Sequence, residues 1–94
     1  MTIFDFEQQL LACIDTLVAD GSDDELFASG YLRGHISLAV AQCEIQGRTL
    51  VRDVEMQVRS GLQQACLQGE LNDNDQKLVE TMWQRLLQQV RAAA

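Results

Sequence analysis

The chain has 94 residues, no proline, and 14 acids against 7 bases, a formal charge of −7. That length allows one domain with a thin stability margin, and such acidity does not suit a nucleic-acid phosphate backbone. Few aromatics among many leucines, alanines, valines and glutamines favour helix over strand.

The spacing predicts a first helix over Ile3–Ala19, with Phe6, Leu10, Cys13, Ile14, Leu17 and Val18 as one apolar stripe. Gly21 is expected to end it in a left-handed cap. Ser22 with Glu25 reads as a capping box opening a second helix, and Asp23 and Asp24 sit where the helix dipole favours acids. Gly47 is its expected end. A third helix is predicted over Leu50–Gln68, capped by Thr49, with a stripe of Val51, Val54, Val58, Leu62 and Ala65, and it stops at Gly69. Asn72 should cap a fourth, with Asp75 at its third position. Leu78, Val79, Met82, Trp83, Leu86, Leu87 and Val90 form a face of core-facing width. The last three alanines are expected to fray. Short connections make neighbours antiparallel. The expected fold is therefore all-α: a compact four-helix bundle, one domain over 1–94, with the second helix most buried.

That second helix differs from the others. At about 100° per residue, Phe27, Tyr31, Gly34, Leu38, Ala41 and Ile45 share one side. Leu32, Ile36, Val40 and Cys43 lie nearly opposite. Two apolar faces imply burial most of the way round, either by the other three helices or by another subunit. Glycine inside a helix costs about 1 kcal/mol relative to alanine. Gly30 and Gly34, with Ser37 and Ala41, make a small-residue track along which another helix could pack closely. On that expectation Gly34→Leu costs several kcal/mol through overpacking.

The charge is lopsided. Residues 1–47 hold eight acids and one base, Arg33, whereas residues 48–94 hold six of each. Arg33 has no carboxylate three or four residues away, so its partner belongs on another helix or molecule. Glu70, Asp73 and Asp75 are the first candidates, and an internal half-buried bond there would make Arg33→Met cost about 1–3 kcal/mol. The N-terminal stretch has acids where a secretory signal needs bases, and no stretch nears the roughly 20 apolar residues of a membrane span. Three scattered cysteines do not read as a disulfide scaffold, so a cytoplasmic location is expected.

Catalytic signatures are missing. One histidine, no G-x-S-x-G and no G-x-x-x-x-G-K leave no triad and no phosphate loop. Cys13, Cys43, Cys66 and His35 contain no C-x-x-C pair, and buried reduced thiols are the expected state rather than zinc. "DGSDDE" and "NDND" lack the sixth-position glycine and twelfth-position glutamate of a calcium loop. No cofactor, metal or catalytic residue is expected. Tyr31 and His35, four apart, are helix-surface neighbours, and Trp83 could meet them. These types build binding hot spots, but polar-tipped aromatics more commonly form a hydrogen-bonded core edge.

"SDDELFASGYLRGHISLAVA" resembles the YfcL-like family of small bacterial proteins, most strongly over Asp23–Leu38. "GELNDNDQKLVETMW", Gly69–Trp83, matches more loosely, with Asn72 where serine is expected. The resemblance covers most of the chain. It implies an all-helical, cytoplasmic protein, and it brings no activity or ligand residues with it.

The expected function is a protein–protein interaction module, with a second copy of the chain among its candidate partners and no nucleic acid or membrane as partner. Its candidate interaction residues are Tyr31, Arg33, His35, Trp83, Asp24 and Glu25. The alternative is a small-molecule-binding bundle, with a pocket between the second and fourth helices lined by Tyr31, His35, Met82 and Trp83.

Overall fold

The computed structural model of the chain describes residues 1–18 and 21–93. Four helices follow in order: α1 (Ile3–Leu17), α2 (Asp23–Ile45), α3 (Val51–Leu67) and α4 (Asp73–Ala93). Each begins where a side chain takes up an amide that the first turn leaves unpaired. The Asp5 N–H donates to the Thr2 hydroxyl at 3.0 Å, and the Thr2 N–H donates back to the Asp5 carboxylate at 3.3 Å. Ser22 and Glu25 make the expected reciprocal pair at 3.3 and 3.4 Å. The Asp75 N–H donates to the Asn72 side-chain oxygen at 2.8 Å. At α3 the cap is Leu50 rather than Thr49. Leucine offers no acceptor, and the link that forms runs the other way, from the Leu50 N–H to the Asp53 carboxylate at 3.2 Å.

Two helices end alike. Gly47 and Gly69 have φ of 71° and 76°, the left-handed region that glycine enters without steric cost. The Arg48 N–H then reaches the Cys43 carbonyl at 2.8 Å, and the Glu70 N–H reaches the Ala65 carbonyl at 3.0 Å. Both are Schellman closures. Gly21 does not share this conformation, contrary to expectation. A Cβ there would stand 3.2 Å from Val18 Cα and 3.3 Å from Glu25 Cβ, so glycine serves a close approach between chain segments. α1 stops at Leu17 with Val18 as its cap; the expected end at Ala19 lies outside the described residues. Ala92 and Ala93 continue α4, and the last of the three alanines expected to fray lies outside the described residues.

One core draws on all four helices. Phe6, Leu10 and Ile14 of α1, Leu32, Ile36, Val40 and Cys43 of α2, Val54 and Val58 of α3, and Val79, Trp83 and Leu86 of α4 are buried together. α2 is the most extensively packed helix and touches each of the other three, whereas α3 and α4 barely meet.

The second apolar face of α2 is not covered. Phe27, Leu38 and Ile45 are 42%, 54% and 85% exposed, and nothing lies within 4 Å of a Cβ built at Gly30 or Gly34. Among the described residues, therefore, no helix packs along Gly30, Gly34, Ser37 and Ala41, all four of which are exposed. The reason is the thinness of the fold. Its Cα envelope is 17 Å deep in one direction, room for two helix layers spaced about 8–10 Å apart. A helix in either layer keeps one face to solvent.

Candidate functional site

The outward side of α2 is a stripe about five turns long. Phe27, Gly30, Gly34, Ser37, Leu38, Ala41 and Ile45 compose it, and none is charged. Large side chains stand at its two ends and at Leu38, with small residues between. Arg33 marks one border, where its Nη2 lies 2.5 Å from Asp15 Oδ1 of α1. The partner is thus on another helix, as expected, but it is Asp15 and not Glu70, Asp73 or Asp75. Arg33 points toward the α1 side of α2, while α4 lies behind the helix. Both side chains are well exposed, 44% and 71%, so the pair is screened and contributes about 0–1 kcal/mol.

Tyr31 and His35 mark the other border, toward α3. Their ring centroids are 4.8 Å apart, and Phe27 stacks loosely on Tyr31 at 6.0 Å. His35 lies over Gly61 of α3: a Cβ there would be 3.0 Å from its Nδ1. Farther along the same border the Gln57 amide donates to Gln42 at 2.6 Å. The Tyr31 hydroxyl donates to Glu70 Oε1 at 3.1 Å. Glu70 is held there by the Gly69 closure described above. Burial, then the hydrogen bond to Glu70 and the charge it carries, push the Tyr31 phenol up to about 12. It is a neutral donor throughout the physiological range.

Trp83 does not join this cluster. It is 2% exposed and floors a cleft of about 570 Å³ between α3 and α4, walled by Leu62, Cys66, Leu67, Leu71 and Val79 and rimmed by Arg59 and Glu80. The anticipated pocket between the second and fourth helices is therefore misplaced. Tyr31 and His35 face α3, and the cleft opens where α3 and α4 part. What lies between α2 and α4 is a shallower hollow of about 180 Å³. Asp24 and Glu25 sit there with Met82, Lys77 and Arg85. Glu25 is 3.8 Å from Arg85 and also serves the Ser22 cap.

Cys13, Cys43 and Cys66 are free thiols on three different helices. Cys43 is buried, and burial, with the charge of Asp53 adding to it, pushes its thiol up. Among the described residues no three histidine, cysteine or acidic side chains converge as metal ligands. The residues unforeseen from sequence are Asp15 and Gly61, while Glu70, expected as a partner of Arg33, meets Tyr31 instead. Gly61 carried a signal of its own, since it is a mid-helix glycine whose cost of about 1 kcal/mol calls for a reason. The His35 ring is that reason.

These features define a small all-helical protein with one long uncharged exposed face on α2. The family model described as "YfcL protein" matches residues 4–88, and the chain belongs to that family. It is 48% identical over 87 residues to "Uncharacterized protein YfcL" of Escherichia coli (strain K12), covering 93% of this chain and 95% of that one. No solved structure matches. Among the described residues no helix is long and apolar enough to cross a membrane.

Proposed function

We propose that the chain is a protein–protein interaction module that docks its partner along the exposed face of α2. The supporting observation is that face itself: Phe27, Leu38 and Ile45 stand exposed in one row with no charge among them. Apolar area removed from water contributes about 25 cal/mol per Å², and a contiguous exposed apolar strip marks interaction surfaces. The small residues between them admit a helix backbone closely. A photocrosslinking residue at Leu38, with exposed Gln88 of α4 as control, tests this in living cells. We expect a protein adduct at Leu38 that Gly34→Glu abolishes; adducts no stronger than at Gln88 would overturn the proposal. We also propose a cytoplasmic location, on the three free cysteines, which cell fractionation checks.

The cleft between α3 and α4 favours a second reading, small-molecule binding. Its volume of about 570 Å³ lies within the roughly 300–1,000 Å³ of ligand pockets. Native mass spectrometry of protein purified from its host would show a bound species that Leu62→Trp displaces. A clean apo mass would count against this reading.

A further inference from the structure

We infer that the occupant of the α2 face is a second copy of this chain, lying antiparallel across a two-fold axis at the level of Ile36. This rests on docking at that face. In an isologous contact each residue meets its counterpart reflected through the axis. Reflection about Ile36 sets exposed Phe27 opposite exposed Ile45 and sets Leu38 opposite Gly34. Nothing occupies the space above Gly34, so Leu38 of each copy has a gap to fill on the other. Large residues meet at both ends of the contact, and knobs meet holes at its centre.

Charge provides an independent match. The same reflection places Asp24 opposite Arg48. Asp24 lines the hollow between α2 and α4, yet it is exposed and has no ion pair among the described residues. The Arg48 side chain is 58% exposed and lies no nearer than 3.8 Å to its own Asp53. A guanidinium has five donors in a fixed fork, which leaves room for a second carboxylate. Antiparallel helices also bring opposite dipole ends side by side. Against this stands the charge of −7 on each copy. At 0.15 M salt the Debye length of about 8 Å confines that repulsion to near neighbours.

Sedimentation equilibrium of the full chain at that salt is the test. We expect a monomer–dimer equilibrium in the micromolar range. Leu38→Glu should raise the dissociation constant at least about tenfold. Asp24→Arg and Arg48→Asp should each raise it about threefold, and the two combined should restore it. Circular dichroism and thermal unfolding check that each variant folds. The inference fails if the protein is monomeric at about 1 mM, if Leu38→Glu leaves a dimer intact, or if the double reversal is no better than either single one. A monomer that still crosslinks from Leu38 to a different protein would sink this inference while leaving docking at the α2 face standing.

Discussion

Alanine at three glycines makes a direct test of how α2 and α3 are packed. In a helix interior with open space, Gly→Ala gains about 1 kcal/mol, by propensity and by a less free unfolded chain. Gly30 and Gly34 have nothing within 4 Å of the new methyl, so Gly34→Ala should stabilise by about that amount, reversing the expectation that Gly34 is pinned by a neighbour. Gly61 is different. Its new Cβ would sit 3.0 Å from His35 Nδ1 and 3.5 Å from Cε1, too close for an unshifted ring. Displacing packed groups costs about 1–3 kcal/mol, so Gly61→Ala should come out between neutral and about 2 kcal/mol destabilising. His35→Ala removes the obstacle, and in that background Gly61→Ala should regain its stabilisation of about 1 kcal/mol. The coupling between the two sites is then about 1–3 kcal/mol. Urea unfolding followed by fluorescence of Trp83, the only tryptophan, measures all four corners of the cycle. The protein is kept dilute, below any self-association. If Gly61→Ala stabilises the wild-type chain as much as Gly34→Ala does, His35 does not lie over Gly61, and the account of that border is wrong.

Tyr31 is the only tyrosine, so ultraviolet absorbance reports it alone. Its midpoint should lie near 12 against an ordinary 10.0, and Glu70→Gln should lower it only in part, because burial is the larger cause. Since the folded value is raised, the stability it contributes is intact below pH 10 and lost as pH rises toward about 12; a midpoint near 10 would contradict the Glu70 contact. Arg33→Met should cost less than about 1 kcal/mol in urea unfolding, because its bond to Asp15 is exposed, and a loss above about 2 kcal/mol would mean a buried partner. Cys43 should react with an aromatic disulfide reagent only as fast as the chain opens, whereas half-buried Cys13 and Cys66 react sooner; three equal rates would contradict its burial.

The fold was legible because its signals are local and repeated. Ser22 with Glu25, Asn72 with Asp75, and the glycines at Gly47 and Gly69 mark helix ends by the groups a terminus must satisfy, and the structure uses each of them. The stripes of α1, α3 and α4 face the core as their spacing requires. Misreadings fell where two local solutions compete. A threonine beside Leu50 looks like a cap, but Asp53 links to the Leu50 amide from within the first turn. Gly21 looks like a left-handed terminator, but crowding from Val18 and Glu25 explains it instead.

The candidate site was legible only in composition. Periodicity reports that α2 has two apolar faces, and it contains no information on which is covered. That depends on how many layers the fold has, a tertiary quantity set by chain length and by the short connections. A chain of this size builds two layers, so the small-residue track that suggests close packing is left in open water. The partner of Arg33 was hidden for a related reason. Arg33 could be excluded from partners on its own helix by spacing alone, but choosing between α1 and α4 requires knowing on which side of α2 each lies. Leu32, Ile36 and Val40 settle that by turning inward, which carries Arg33 to the α1 border and Tyr31 and His35 to the α3 border. One rotation of one helix therefore fixes Asp15, Gly61 and Glu70 as partners together. It is also what leaves Phe27, Leu38 and Ile45 pointing at whatever comes to meet them.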